Sequence, residues 1–293
     1  MFITKQNLKD FRLWYKLVVA VLITVFLLEM LIKGMINIGV PKNNEEYSIW
    51  AIFNEKGDFI GHDYFGYVIN YFSYFTIQSN ILIVVWLMIG FFNHNKEGQI
   101  KPLQRALSLS VVTYITVTAL IFNGLLLPQL LSSKQGRESL DALWWVEQMV
   151  LHTVGPLAAV LYFLFFMKQD LVFDFKKFIK HDFYKMAIYP VAYLAYALIR
   201  GELIYRSYGS NAPLAHHHSA YPYFFLEIHN KYALNPNMGE TLINNGLFWM
   251  FMTVIIIVGI VIGLGSLYLF IGSKTSNIRN GWIKDEKKQK QAK

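Results

Sequence analysis

A short segment with polar side chains, Tyr74–Asn80 (YFTIQSN), lies inside a long apolar run from about residue 66 to residue 92. A second apolar run, at about 143–167, carries His152 at nearly the same distance from its start as Thr76 has in the first. If both runs are membrane-crossing helices that begin on the same side, Thr76 and His152 lie at similar depth. A hydroxyl and an imidazole at one depth can act as nucleophile and general base.

The composition indicates an integral membrane protein. Of 293 residues, 55% are hydrophobic, and they come in blocks rather than in alternation. The absence of cysteine excludes disulfides, thiolate nucleophiles and Cys-ligated metals. The formal charge of +8 comes from basic residues between the apolar blocks and near the C-terminus, which is typical of membrane-protein loops rather than of a nucleic-acid surface.

Six apolar runs are long enough to cross a bilayer as helices. The first is read as an uncleaved helix, because no small-residue cleavage site follows it. We therefore predict an all-α integral membrane protein with a single six-helix domain over residues 1–275 and a basic tail over 276–293. The predicted spans are about 14–35, 66–92, 107–131, 143–167, 183–200 and 246–272.

The distribution of Lys and Arg predicts the orientation. Residues 1–16, residues 273–293 and the connections 93–106 and 168–185 carry 19 of these residues. The other three connections, 33–65, 132–142 and 200–245, carry 8. Positive charge favours the cytoplasmic side, so both termini are expected there. This topology, together with the lack of cysteine, is compatible with a bacterial plasma membrane.

With this topology, polar residues in the spans can be placed by depth at 1.5 Å per residue. Thr76 and His152 each lie roughly 15 Å below the outer helix start. Asn123, Arg200 and Glu202 also fall in the outer half or at its rim. Ionisable residues inside membranes usually face a bundle interior or a wet cavity, and they mark function.

Helical spacing places Gln148, His152 and Pro156 on one face of the fourth span. Because Pro156 has no N–H, the carbonyl of His152 loses its usual helical partner, and a kink is expected there. A structural role is the plain alternative for such residues. Ser, Thr and Asn in membrane helices most often bond to a neighbouring helix or to their own backbone. A lone His serves structure or proton relay as readily as catalysis.

Four motifs carry a resemblance to a known family. The motifs are Tyr74–Asn80, Leu151–Pro156 (LHTVGP), Tyr189–Tyr193 (YPVAY) leading to Arg200-Gly201, and Tyr221–Glu227 (YPYFFLE). They resemble the bacterial predicted six-transmembrane family, which is similar to the androgen-induced protein family (androgen-induced gene one and androgen-dependent TFPI-regulating protein). The resemblance covers most of the chain from the second to the sixth span.

The resemblance implies an intramembrane threonine hydrolase of lipid metabolism, without a cofactor, that cleaves fatty acid esters of hydroxy fatty acids. One membrane-embedded Thr and one His carry the reaction, and by position these roles fall on Thr76 and His152. His152 then takes the Thr76 proton during attack on the ester and later activates water. The group that orients the imidazole is left open.

The oxyanion donors depend on the second span. Within an unbroken membrane helix the backbone amides are occupied. Unless that span is broken at Thr76, the donors are therefore expected to be side chains. The candidates are Ser79, Asn80, Asn123 and Gln148.

Substrate binding is assigned to the outer rim. Arg200 has the geometry for a bidentate clamp on a fatty-acid carboxylate, with an interfacial pair to Glu202 or a phospholipid as the alternative. Tyr221 and Tyr223 belong to an aromatic-rich connection, read either as an interfacial belt or as a lid over a cavity.

Two other function classes remain open. A transporter or channel for a small hydrophobic or ionic solute could use the same polar layer, and broken helices or inverted repeats would favour it. A metal-dependent hydrolase could use His216–His218, although adjacent His residues do not point the same way on ordinary backbone. No metal site is therefore assigned.

Overall fold

The computed structural model describes residues 3–41, 46–132, 134, 137, 140–208, 220–234, 236–279 and 281. The chain is mostly helical (76%), and within these described residues six helices are long and apolar enough to cross a membrane. This is typical of a multi-pass membrane protein and confirms the prediction of a mostly helical chain with six apolar helices. The helices are α1 (Phe11–Ile36), α2 (Tyr64–Ser73), α3 (Phe75–Phe92), α4 (Arg105–Ser132), α5 (Ala142–Phe166), α6 (Phe175–Ser207) and α7 (Gly246–Lys274); all but α2 are candidate spans.

The connection between α1 and α2 contains a small antiparallel hairpin, which the all-α prediction did not include. Strands β1 (Ala51–Phe53) and β2 (Phe59–His62) pair, with a register shift between Ile52 and Phe53. The turn between them is stabilised by the Asn54 side chain, which accepts backbone bonds from Lys56 and Asp58. Gly57 takes φ +86°, a conformation that favours glycine.

The second predicted span, 66–92, is wrong as a single helix. The chain forms α2 and α3 instead, and Tyr74 between them has extended backbone (ψ 130°). A break in apolar surroundings is tolerated only where the freed backbone groups find new partners. Gln78 Nε2 donates to Phe72 O at 2.9 Å, and Tyr193 Oη donates to Ser73 O at 3.0 Å. Side chains thus replace the lost helical bonds.

The fifth span is longer than predicted, Phe175–Ser207 rather than 183–200. Its start is capped by Asp174, whose carboxylate accepts the Lys177 N–H at 3.0 Å. The helix therefore includes basic residues that the charge pattern had assigned to a connection.

Four segments of π-helix lie within α4, α5 and α6. Such segments insert one residue into the helical ladder and frequently occur at functional sites. They are Phe122–Leu126, Val150–Val154, Tyr162–Phe166 and Phe178–Phe183.

The chain divides into two compact units. The first unit comprises Met1–Leu27, Ser79–Ile188 and Gly259–Lys293, and the second comprises Leu28–Gln78 and Tyr189–Val258. The first unit has an apolar core that includes Leu13, Ile23, Ile83, Leu109, Val112, Ile115 and Phe163. Aromatic side chains are prominent in the core of the second unit, among them Tyr71, Tyr193, Tyr221, Tyr223 and Phe225.

The first unit also buries a charged cluster that the sequence pattern did not reveal. Lys16, which the charge count included with the N-terminal segment, is fully buried in α1 and pairs with Glu97. Lys16 Nζ donates to Gly90 O and to His94 Nδ1, both at 2.8 Å. His94 Nε2 lies 2.9 Å from the carboxylate of Asp10. Each buried charge thus has an opposite charge or a hydrogen-bond partner, which low-dielectric surroundings require.

Candidate functional site

Thr76 lies in the first turn of α3. Gln78 N–H bonds back to Tyr74 O at 3.1 Å, as the helical ladder begins. The amides that precede Gln78 belong to the set that a helix N-terminus directs outward, with a partial positive charge. The condition for backbone oxyanion donors is therefore met, because the second span is broken beside Thr76.

The Thr76 amide donates to the hydroxyl of Tyr223 at 3.2 Å, and the Thr76 side chain also hydrogen-bonds with that hydroxyl. The Tyr223 ring meets Tyr74 edge-on, with centroids 5.7 Å apart, and stacks on Phe225 at 5.0 Å. Burial raises the pKa of Tyr223 well above its usual value, so the phenol keeps its proton at neutral pH. A protonated hydroxyl therefore lies against both polar groups of Thr76.

Arg200 holds the segment that carries Tyr223. Its Nη1 donates to Ala220 O at 2.9 Å, and its Nη2 donates to Asn70 Oδ1 at 3.0 Å. Gly201 allows the Tyr221 ring to lie against α6, since a Cβ at this position would meet ring atoms at 2.2 Å. The structure thus places Arg200 on two neutral acceptors at the base of the Ala220–Leu226 segment.

Glu202 is engaged by side chains other than Arg200. Its carboxylate pairs with Arg206 and with His229, and it accepts the Tyr221 hydroxyl at 3.3 Å. The His229 ring stacks on Tyr205 at 4.0 Å. These contacts fix Tyr221 and the loop around it, so Glu202 and Tyr221 form part of the frame of the Tyr223 segment.

His152 is buried in the π-helical segment Val150–Val154 of α5. Its ring stacks on Phe122, with centroids 3.8 Å apart and an interplanar angle of 17°. Nδ1 lies 3.3 Å from Gln148 O. Because a carbonyl only accepts, Nδ1 carries the hydrogen, and in the neutral ring Nε2 holds the lone pair. No hydrogen-bond partner of Nε2 is found among the described residues, so this nitrogen is available as a base.

Of the four predicted oxyanion residues, two donate their side-chain amides to backbone carbonyls, and a third bonds to His152 through its own backbone carbonyl. Asn80 Nδ2 donates to Leu151 O at 3.2 Å, and Asn123 Nδ2 donates to His152 O at 3.0 Å. Gln148 contributes its own backbone carbonyl to the His152 ring. The fourth, Ser79, is buried, and its hydroxyl lies 2.8 Å from Thr118 Oγ1.

The predicted residues thus fall into two groups, one in each compact unit. The second unit brings together Thr76, Tyr223, Tyr221, Arg200 and Glu202. The first unit holds the other five, which are Ser79, Asn80, Asn123, Gln148 and His152. The pairing of Thr76 with His152 stays a prediction.

Sequence reasoning missed the residues that build the helix break. Tyr189 Oη donates to Gln78 Oε1 at 2.6 Å, and the Phe75 ring packs against Tyr189 and Tyr193. The signal that could have found them is the YPVAY motif, whose two tyrosines lie four residues apart on one face of α6.

No group of three or more His, Cys, Asp or Glu side chains is placed to hold a metal ion within the part of the chain that the structure describes. The His216–His218 segment lies outside the described residues.

Comparison of the chain with protein-family models, with curated proteins and with solved structures gives no match.

Proposed function

We propose that this chain is an intramembrane threonine hydrolase that cleaves lipid esters, with fatty acid esters of hydroxy fatty acids as the substrate class. Thr76 is the nucleophile and His152 the general base. The observation that carries the proposal is the position of Thr76 at a helix break, in contact with the buried, protonated hydroxyl of Tyr223. The proposal places the protein in a cell membrane with both termini cytoplasmic, and the charge pattern favours a bacterial plasma membrane.

The reaction has two steps. In the first, Thr76 Oγ1 attacks the ester carbonyl while His152 Nε2 accepts its proton, and the C–O bond to the alcohol breaks as that proton passes to the leaving oxygen. In the second, His152 takes a proton from water, the hydroxide attacks the acyl-threonine, and the carboxylic acid leaves as Thr76 regains its proton. The sum is one ester and one water giving one acid and one alcohol.

The oxyanion is best served by the Thr76 end of α3. The Tyr223 O–H is one donor beside the hydroxyl that attacks. The Thr76 N–H donates to the Tyr223 oxygen in this structure and becomes the second donor when the ester oxygen takes the place of that acceptor. A nucleophile whose own amide serves the oxyanion is known from the serine hydrolase triad. Donors fixed before the reaction stabilise developing charge without reorganisation, and this stabilisation often contributes more to acyl transfer than any other single effect.

The orientation of the base has a simple source. In the hydrolase triad a carboxylate holds the histidine tautomer. Here the Gln148 carbonyl accepts the Nδ1 hydrogen, and the Phe122 ring restricts rotation by stacking. A neutral acceptor stabilises the imidazolium less than a carboxylate does, so we expect a slower enzyme than a full triad gives.

The carboxylate of a hydroxy fatty acid ester is proposed to reach Arg200, beside Glu202, Tyr221 and Tyr223. If Arg200 clamps it, Arg200→Lys should raise KM for the carboxylated substrate and leave KM for its methyl-capped form unchanged. If Arg200→Lys has the wild-type KM for the carboxylated substrate and for its methyl-capped form, Arg200 is not part of the substrate site.

The proposal is tested by ester hydrolysis with purified protein in detergent. Thr76→Ala and His152→Ala should lower kcat by at least about a thousandfold, while Thr76→Ser keeps measurable activity because it retains a hydroxyl. Thr116→Ala is the matched control, since it removes a threonine hydroxyl that bonds to Val112 O and to Tyr268. Full activity of Thr76→Ala would contradict the proposal.

A transporter is the second candidate, and the break between α2 and α3 favours it. Transporters bind anionic substrate groups at the N-termini of discontinuous membrane helices. In that case the Thr76 end of α3 would bind an anion without covalent chemistry. Uptake of a labelled fatty acid into proteoliposomes, unchanged in Thr76→Ser and without ester hydrolysis, would select this function.

A further inference from the structure

The proline in α5 removes the N–H that would serve one of two backbone carbonyls. An N–H at position 156 would serve Leu151 O in the π pattern and His152 O in the α pattern. Pro156 has no N–H, so it can serve neither. The π pattern is present directly before it, since Gly155 N–H donates to Val150 O.

Two asparagine side chains occupy these same two carbonyls. Asn80 Nδ2 donates to Leu151 O at 3.2 Å from α3, and Asn123 Nδ2 donates to His152 O at 3.0 Å from α4. Asn80 is 1% exposed, so its bond is shielded from solvent. In a membrane-crossing segment no water is present to hydrogen-bond an unsatisfied carbonyl, so a side-chain donor stabilises the helix at both positions.

The position of Asn123 on α4 is set by a π-helical segment of that helix. Asn123 lies in Phe122–Leu126, next to the Phe122 ring that stacks on His152. Its Nδ2 carries two hydrogens, and besides His152 O it has Ala119 O of its own helix at 2.9 Å and Thr153 Oγ1 at 3.4 Å. The ring stack and the amide bond to the His152 carbonyl therefore join the two π segments at the imidazole.

We propose that Asn80 and Asn123 form an amide clamp that replaces the missing N–H of Pro156 and so positions the His152 imidazole. The two residues are positioning residues rather than oxyanion donors, since their amides bond to the His152 segment. The structural half of this inference stands on the contacts alone, and its catalytic half rests on the proposed hydrolysis.

The test is a double-mutant cycle that returns the missing donor. Asn80→Leu and Asn123→Leu remove the amides at nearly constant volume, and Pro156→Ala restores a backbone N–H. Each Leu variant should melt at lower temperature than wild type, and the loss from Asn123→Leu should be smaller in the Pro156→Ala background. Thr116→Val is the control, because it removes a bond from α4 to Tyr268 and should cause the same loss in both backgrounds.

Kinetics separate the clamp from a purely structural role. Asn123→Leu should lower kcat about ten- to a hundredfold with KM within about twofold, because a misplaced base slows the chemical step. Pro156→Ala in the same chain should recover part of kcat. Equal melting losses in both backgrounds would overturn the clamp, whatever the activity.

Other outcomes are equally decisive. Suppose that the melting-temperature loss from Asn123→Leu is smaller in the Pro156→Ala background but kcat of Asn123→Leu is unchanged. This result would overturn the positioning role and leave the hydrolase proposal intact. If the same difference in melting loss is found but the wild-type protein hydrolyses no ester, the hydrolase proposal and the positioning role would both be wrong, while the clamp itself would stand.

Discussion

The backbone amide of Thr76 donates to the hydroxyl of Tyr223 over 3.2 Å, across 147 residues of sequence. This bond joins the first turn of α3 to the aromatic segment that follows α6. It is possible only because the membrane helix is broken at Tyr74, since an unbroken helix would use the amide itself. The proposed chemistry depends on this bond and on the position of the segment that carries Tyr223.

Removal of the Tyr223 hydroxyl should slow the reaction. Tyr223→Phe keeps the ring and its packing but loses one proposed oxyanion donor, so kcat should fall about a hundredfold or more. Steady-state hydrolysis in detergent measures this. Tyr114→Phe is the matched control, because it removes a buried hydroxyl that bonds to Met186 O. Equal rates for Tyr223→Phe and Tyr114→Phe would place Tyr223 outside the oxyanion site.

A methyl group at position 201 should disturb the same segment from a distance. The new Cβ would lie 2.2 Å from Tyr221 ring atoms, so the ring must move, and Tyr223 two residues later moves with it. We expect Gly201→Ala to destabilise the protein by about 1–3 kcal/mol and to lower kcat. Gly259→Ala serves as the control, because a Cβ there meets open space among the described residues. Wild-type activity in Gly201→Ala would show that the packing of the Tyr221 ring against α6 does not affect catalysis.

The buried pair of Lys16 and Glu97 should be costly to break on one side only. Both side chains are almost fully buried, so removing one partner leaves an uncompensated charge. Lys16→Met should destabilise the protein by about 3 kcal/mol or more. The double variant Lys16→Met/Glu97→Gln should recover part of this loss, which chemical denaturation in detergent can measure. A double variant as unstable as the sum of the two single variants would argue against the pairing.

Asp10 should make stability depend on pH. Burial alone would raise its pKa, but hydrogen bonds from His94 and Arg12 outweigh burial and hold the pKa well below its usual value. In the unfolded chain the carboxyl has a pKa of about 3.9. A lowered pKa in the folded state means that the stabilisation is present at neutral pH and is lost as pH falls below about 4.

Thermal unfolding of the detergent-solubilised protein checks this prediction. The melting temperature should fall between about pH 5 and about pH 3, and the fall should be shallower in Asp10→Asn. Asp58→Asn, in the exposed turn of the β hairpin, is the control. Identical pH dependence in wild type and Asp10→Asn would show that the carboxyl does not contribute.

The membrane-crossing helices could be predicted from the sequence because a long apolar run has few other stable forms. The break at Tyr74 could not. There is neither Gly nor Pro from Tyr67 to Ile89, and the Tyr193 hydroxyl that caps Ser73 O comes from α6. A tertiary contact decides the local conformation there, and a local pattern does not contain it.

The candidate site was predictable in part for the same reason. His152 and Pro156 could be related through helical geometry, which predicted a carbonyl without its usual donor. The side chain that bonds to this carbonyl, Asn123, was predicted for another role, because nothing local shows where an amide on a separate helix points. Lys16 was counted with the N-terminal segment, because its partner Glu97 lies 81 residues away and no local pattern shows the pairing.

The most direct test of the central claim is covalent labelling with a fluorophosphonate probe, with the modified peptide identified by mass spectrometry. The account predicts one adduct, on Thr76, lost in both Thr76→Ala and His152→Ala with the fold retained by circular dichroism. Tyr223→Phe should react more slowly, since the probe also develops an oxyanion. An adduct on another residue, or undiminished labelling of Thr76→Ala, would contradict the account.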